Sequence, residues 1–583
     1  MIKNQKLNIN IFVLISIGFL VALSNLLNYE KKLTVISILF ILLLFFIFRK
    51  GVSLSQKRFE NIEFILEKRK KIFLAFIFLL LVILQNFYLN FETITWDISS
   101  YLVASQEIEN KLIPFSTQWE SKGPLNSIVY YLFSFISNKN YVIFKIINDI
   151  LIFLIGFNFF VYLQKTKKDK FLNYFSLIFL IILFSSEWYV SEFTEFYCLF
   201  LISIAKIIYL KYKNLFFKYF LIGFIYSLAS LVNQGSIIIF AGFIFYLLIN
   251  KSLKNNIKQY LYLVLGFLIP YSVTLLIYSY AGLLEVLIAN YIFIPLGYTG
   301  SNASSIYELR VFLREFYDYN IFIYFTIISI FIALFVEIFN DFKIKIVQIF
   351  KDLDYILLIF SILYYFIAGH NYYHHLIYAL YFFCIAITKL SFTSSKQLIA
   401  IMVTFSVLSS LYFYSNISFK NLSNLSETYN SYPLKGLSSE IESYFETDDF
   451  NVLALDYVLI LYYLDKPSYS YIIHPTNHYQ EYITRPLQQI GLVEKNEIQK
   501  LFKNNPDVII CNSIAIDNGG QVINVDPLLF GQKIEEGQVN SCSLDFLGKN
   551  YFLLDTSKYR NNPNLSYYKD PYKDMNVFII KRS

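Results

Sequence analysis

Between its long apolar runs the chain places a small set of polar residues whose types and spacing could do chemistry. Asp97 and Tyr101 stand four apart in Thr95-Trp96-Asp97-Ile98-Ser99-Ser100-Tyr101, and so share one face of a helix. A carboxylate at the edge of a bilayer is partly desolvated, which raises its proton affinity and suits it to accept a proton. Lys122 follows in Trp119-Glu120-Ser121-Lys122-Gly123-Pro124-Leu125, and Arg310 and Arg314 stand four apart further along. These cations could neutralise a phosphate, although an amphipathic surface helix has the same arginine spacing. Glu192 and Glu195 could orient a substrate or hold a divalent cation, and a solvated turn would carry the same residues. His370 and His374, four apart, can face one ion. Adjacent His374 and His375 point about 100° apart on a helix and cannot easily do so.

The elements that must position these residues follow from composition. Of 583 residues, 56% are hydrophobic and 16% charged, and the mean hydropathy of +0.50 is too high for a soluble protein. Apolar runs that can cross about 30 Å of hydrocarbon occur at 9–28, 33–48, 71–90, 141–163, 171–187, 195–210, 218–232, 235–250, 259–280, 320–340, 353–369, 372–388 and 397–415. They predict a polytopic α-helical membrane protein with about 13 transmembrane helices. The first run leads into Asn28, Tyr29 and Glu30 and then a second run, so it reads as a retained helix rather than a cleaved signal.

Basic residues orient the chain. Arg49, Lys50, Lys57, Arg58 and Lys68 to Lys71 make the second connection cytoplasmic, and alternate connections agree through Lys165, Lys167, Lys168, Lys170, Lys211, Lys213, Lys251, Lys254, Lys258, Lys343, Lys345, Lys351, Lys389 and Lys396. The formal charge of +7 therefore reflects orientation in a membrane and not a nucleic-acid partner. The opposite side receives the loop 91–140, the Glu187 to Glu195 turn, the stretch 281–319, the His370 to His375 turn and everything after Ser415.

A soluble region begins near 430, where Pro, Asp, Glu and Asn return. Short apolar runs at Asn451 to Leu455, Tyr469 to Ile473, Val508 to Cys511, Tyr551 to Leu554 and Val577 to Ile580 predict strands, and Lys495 to Lys503 a helix. Residues 430–583 thus read as one small extracytoplasmic α/β domain without a Gly-rich phosphate loop. Its Asp456, Tyr457, His474 and His478 read first as satisfied surface residues, and could help bind an acceptor. Cys198 and Cys384 fall in apolar runs as small hydrophobes, whereas Cys511 and Cys542 could form a disulfide outside the cell.

The order of pieces in the loop after the third run resembles the first external loop of GT-C glycosyltransferases, in particular the branch with protein O-mannosyltransferases and lipid A aminoarabinose transferases. Asp97, Tyr101, Ala104, Leu112-Ile113-Pro114-Phe115, Lys122-Gly123-Pro124-Leu125 and then Tyr130 and Tyr131 match its Asp, the Tyr four on, the Ala-rich helix, the Pro-containing turn and the Lys-Pro-Pro-Leu before a Tyr-rich helix. Pro114 and Pro124 are the fixed points of that match. Ile98 stands where many relatives carry Glu, Gly123 replaces the first Pro, and Lys111 stands where Gly is common. Gly223 to Asn233 is similar to the family's Gly-x-x-x-Gly-Leu-Ala-x-Leu-x-Lys helix, with Asn233 in place of Lys.

The resemblance implies an enzyme of the bacterial inner membrane that moves a sugar from a polyprenyl-phosphate donor to a lipid, glycan or protein acceptor at the outer face, with inversion. Asp97 would be the base, and Lys122, Arg310, Arg314, His370 and His374 candidates for the donor phosphate. Glu192 and Glu195 would orient the acceptor or hold a divalent cation; no cofactor is certain. In this frame residues 1–70 are two N-terminal helices and a basic cytoplasmic loop, and 71–415 the catalytic module. An O-antigen ligase or polymerase, a transporter and a non-enzymatic scaffold remain alternatives. A transporter usually shows inverted repeats and mid-membrane charges, whereas ligases usually carry their large loop late in the chain.

Overall fold

The computed structural model describes residues 64–92, 95–166, 170–186, 192–250, 253–301, 320–340, 347, 349–368, 372–390, 393–474, 477–478, 480–495, 497, 500–501, 504–512, 515–516, 522–523, 550–560 and 575–581. The expected spans 9–28 and 33–48 lie outside the described residues, as do Arg310, Arg314, His370 and Cys542.

The protein is mostly helical, and every other expected apolar run is a helix. The chain begins with α1 (Lys70–Asn86), extended by a 3-10 turn (Phe87–Asn90). The loop helices α2 (Trp96–Glu109) and α3 (Pro124–Ile136) follow. Next come α4 (Tyr141–Thr166), α5 (Lys170–Phe184), α6 (Thr194–Lys211), α7 (Leu215–Val232), α8 (Ser236–Asn250) and α9 (Leu253–Tyr280). Two short helices, α10 (Leu284–Ile288) and α11 (Ile294–Ser301), are joined by a π turn (Ala289–Phe293). The bundle closes with α12 (Ile321–Asn340), α13 (Leu353–Ile367), a 3-10 turn (Tyr373–Leu376), α14 (Ile377–Ile387) and α15 (Thr393–Ser423). By length and composition α4, α7, α9, α15 and α1 with its extension can each cross a membrane, and several shorter helices are equally apolar.

Without a hydrophobic drive between helices in lipid, close association needs small residues and answered polar groups. Both are present. A Cβ on Gly223 of α7 would lie 2.0 Å from the Leu263 carbonyl oxygen of α9, and one on Gly266 of α9 would lie 2.0 Å from that of Phe220, so the two backbones touch at both glycines. At the far end of α6, Lys206 Nζ lies 2.6 Å from Asp354 Oδ1, whose other oxygen is 3.1 Å from Lys389 Nζ. The Tyr162 hydroxyl of α4 donates to Asp354 Oδ1 at 2.8 Å, so one buried carboxylate ties α4, α6 and α13 together.

After the bundle come α16 (Leu425–Asn430), α17 (Pro433–Glu442), α18 (Leu459–Tyr463) and α19 (Glu481–Gln489). A four-stranded sheet accompanies them, with strands β1 (Val452–Ala454), β2 (Val508–Asn512), β5 (Tyr551–Leu553) and β6 (Met575–Ile580) in the order β1-β2-β6-β5. β1 and β2 are parallel, and β6 is antiparallel to both β2 and β5; β3 (Ala515–Ile516) and β4 (Val522–Ile523) form a separate ladder. Cys511 in β2 is disulfide-bonded, while Cys198 and Cys384 are free.

The hydrophobic core of this region is continuous with that of the bundle. Glu92 reaches across to accept the backbone N–H groups of Leu434 and Lys435 at 2.9 and 3.0 Å, answering two of the unpaired donors at the start of α17. One expected strand is corrected: Tyr469 to Ile473 is not in the sheet, and Ile472 instead forms an isolated parallel bridge with Trp119. Its alternating apolar residues find their partner in the loop after α2, not in another strand.

Removing one partner of a buried ion cluster leaves the others uncompensated. Asp354→Ala is therefore expected to cost about 3–5 kcal/mol in thermal unfolding of the detergent-solubilised protein. Asp352→Ala, at a side chain 35% exposed, should cost about 1 kcal/mol or less.

Candidate active site

α2 begins after Thr95 in extended conformation, which places Asp97 in its first turn, where backbone N–H groups favour a negative charge. Ile98, Tyr101 and Leu102 bury the rest of the helix, so the helix is anchored and its first turn is offered to a cavity. Asp97 Oδ1 lies 3.2 Å from His474 Nε2, and its Oδ2 lies 4.0 Å from His374 Nε2. Burial alone would raise the proton affinity of this carboxyl, but the hydrogen bond from His474 and the electrostatic influence of His474, His374 and Lys122 outweigh it. The carboxyl is held well below the usual carboxylate range, the reverse of the shift expected from desolvation at a bilayer edge.

The return from α2 is organised by another carboxylate. Glu107 accepts N–H bonds from Phe115, Thr117 and Gln118 at 2.8, 2.6 and 3.2 Å, and the Thr117 hydroxyl at 3.0 Å. The Pro114 carbonyl accepts the Tyr278 hydroxyl at 2.8 Å. Gly123 N–H then donates to the Val232 carbonyl at 3.0 Å, and a Cβ on Gly123 would stand 2.0 Å from the Leu231 oxygen. Proline at this position would have neither the donor nor the room, which explains the departure from Lys-Pro-Pro-Leu. Pro124 opens α3 as its first residue, where its missing N–H costs nothing.

Lys122 is thereby delivered beside the start of α6, its Nζ 4.0 Å from Glu195 Oε1 and 6.0 Å from the ring centre of Tyr101. Glu195, fully buried, accepts Asn233 Nδ2 at 2.9 Å, the Thr194 hydroxyl at 3.0 Å and the Tyr364 hydroxyl at 3.4 Å. Its Oε1 lies 4.0 Å from His374 Nε2. Asn233, standing where the family has Lys, thus supplies neutral donors to this carboxylate.

Glu195, His374 and His375 offer ligand atoms within 4.8 Å of one another, and all three are buried. His375 Nδ1 has no hydrogen-bond partner among the described residues, as expected of a nitrogen available to a cation. Adjacent His374 and His375, in the 3-10 turn ahead of α14, nevertheless both reach the carboxylate that α6 brings to them, with their rings 4.5 Å apart at 74°.

These residues surround a cavity of about 620 Å³. Asp97, Glu120, Lys122, His374, His375 and His474 line its polar end, while Ile238, Phe267, Ile294, Leu296 and Ile367 line the apolar remainder. Glu120 is buried with Oε2 unpartnered among the described residues, and burial pushes its carboxyl up, with His474 opposing and the Asp97 charge adding.

The structure therefore joins Asp97, Lys122 and His374, with Glu195 directly behind the cavity wall. Glu192 does not line the cavity; it is buried, and its backbone carbonyl accepts the Tyr130 hydroxyl. Neither glutamate belongs to a solvated turn. Tyr101 is buried beneath Lys122, 5.2 Å from the Tyr130 ring. Asp456, His474 and His478 are buried too, which corrects their reading as surface residues, and burial pushes the His478 imidazole down to about 4. Sequence reasoning missed Glu120, set His375 aside and named His474 only as one of several residues that could meet an acceptor; the bridge between Trp119 and Ile472 reveals why it belongs there.

No protein-family model matches the chain, and no curated protein matches it. Among solved structures, ArnT from Cupriavidus metallidurans bound to undecaprenyl phosphate is similar over 76% of this chain and 92% of that one, at a TM-score of 0.52 and 12% identity. The apo state of the same protein aligns over 75% of this chain and 92% of that one, at a TM-score of 0.48 and 12% identity. At this identity the likeness is one of fold. The chain has the fold of ArnT, and the resemblance carried by the loop holds at that level.

Gly123→Ala would drive a methyl group into the Leu231 carbonyl. It is expected to destabilise the protein by about 1–3 kcal/mol in thermal unfolding, whereas Ser121→Ala should change it by about 0.5 kcal/mol or less.

Proposed function

We propose that the protein is a glycosyltransferase that moves a sugar from a polyprenyl-phosphate donor to a hydroxyl-bearing lipid, glycan or protein acceptor. The observation that carries this reading is the cavity itself: a carboxylate and a lysine at one end of an apolar groove, in the fold of a protein crystallised with undecaprenyl phosphate. A polyprenyl-phosphate sugar has the matching order of parts, an apolar tail, an anionic phosphate and a polar sugar. The charge pattern of the loops supports a site at the outer face of a bacterial inner membrane, with the region after 430 on the same side.

In the reaction the acceptor oxygen attacks the anomeric carbon as the bond from that carbon to the phosphate oxygen breaks, with inversion. The electron pair leaves on the polyprenyl phosphate, whose charge Lys122 neutralises. Asp97 takes the acceptor's proton. Because it is held ionised, it is always in the accepting form and a weak base. Proton transfer therefore follows bond formation, when the attacking oxygen has become strongly acidic. Glu195, His374 and His375 would hold a divalent cation, which would add positive charge beside the leaving phosphate.

Membranes carrying the protein are expected to transfer radiolabelled sugar from a polyprenyl-phosphate pool, and Asp97→Asn to lower the rate about 100- to 10,000-fold at unchanged abundance. Lys122→Ala is expected to lower it about 10-fold or more. Undiminished transfer by Asp97→Asn would remove the base from the mechanism. Purified protein is expected to bind one equivalent of Zn²⁺ or Mn²⁺ in calorimetry, and His375→Ala to abolish binding; equal binding by both would place the cation elsewhere.

A further inference from the structure

The carboxylate at the centre of the site is held from outside the helix that carries it. His474 comes from the region after 430, yet its Nε2 lies 3.2 Å from Asp97 Oδ1, and its ring stands edge-on to Trp96 with centres 5.8 Å apart. The segment that carries it is fastened to the loop after α2. Trp119 N–H donates to the Tyr471 carbonyl at 2.6 Å, and Ile473 N–H donates to the Trp119 carbonyl at 3.3 Å. The Tyr471 hydroxyl donates to the Phe115 carbonyl at 2.9 Å and accepts Asn290 Nδ2 at 2.9 Å. Beyond His474, Asn477, Gln480, Tyr482 and Ile483 continue the cavity wall.

We propose that His474, Asn477, Gln480, Tyr482 and Ile483 form a wall of the active site and that His474 is the positioning residue of Asp97, its Nε2–H donating to Oδ1 so that Oδ2 is left facing the reacting groups. The inference rests on the proposed role of Asp97. A carboxylate in the first turn of a helix can otherwise rotate about its side-chain torsions. One directional donor fixed by a buried ring selects the orientation that serves catalysis. The region after 430 is then part of the catalytic unit, and the acceptor meets its polar residues as it enters.

The test is steady-state transfer by the full chain carrying His474→Gln, His474→Asn or His474→Ala, with thermal unfolding of each. A glutamine amide nitrogen falls near the place of Nε2, whereas an asparagine nitrogen falls near Nδ1 and cannot reach Oδ1. His474→Asn and His474→Ala are expected to lower kcat about 10- to 100-fold with donor and acceptor KM unchanged. His474→Gln should retain most of the rate, and all three should unfold within about 2 °C of the parent. Adding His474→Asn to Asp97→Asn should cause no further loss, since one group acts through the other. Equal losses in Gln, Asn and Ala variants that track unfolding temperature would reduce His474 to a structural residue and overturn the inference. So would wild-type rates in all three alongside an inactive Asp97→Asn, which leaves the proposed function standing. Full transfer by Asp97→Asn would instead overturn the inference together with the role of Asp97 as base.

Discussion

Burying a carboxylate such as Glu195 inside an apolar bundle costs several kcal/mol unless its oxygens are answered. The arrangement of the site follows from how this is done. Donors come from Thr194 beside it, Asn233 at the end of α7 and Tyr364 of α13, with Lys122 and His374 4.0 Å away. Three separate parts of the bundle and the loop after α2 must therefore meet at one point. Gly123 has to be a glycine because the loop reaches that point only by pressing its backbone against Leu231.

Asp97 presents the complementary problem. Its neighbours are cationic or hydrogen-bond donors, and together they overcome the desolvation that would protonate it. The result is a carboxyl held well below the usual carboxylate range. Glu120, more deeply buried and without a donor on Oε2 among the described residues, shifts the other way. Two carboxylates facing one cavity are thus shifted in opposite directions by their partners.

Much of this was legible in the sequence because it is local. Apolar runs predicted the helices within a few residues, since length and hydrophobicity alone set them. The loop motif located Asp97 and Lys122, since both lie close to fixed turn points. Even Lys111 is explained, because it adopts a φ of +61° after α2, the left-handed conformation that makes glycine common there. What could not be read is non-local. His474 stood in the sequence only among residues that could meet an acceptor, because its contact with Asp97 depends on a bridge between Trp119 and Ile472, far apart in the chain. His375 was set aside on the divergence of adjacent residues along a helix, and only the approach of Glu195 from α6 brings it into a cluster with His374. Glu192 and Glu195 look alike in sequence, and only packing sends one toward the cavity and the other away.

The most direct measurement is an experimental structure of the protein with a non-hydrolysable polyprenyl-phosphate sugar analogue. The expected result is a phosphate within about 4 Å of Lys122, a tail along Phe267 and Ile294, and an anomeric carbon whose open face looks toward Asp97. A lipid bound outside this cavity, or one whose sugar faces away from Asp97, would contradict the proposed transfer.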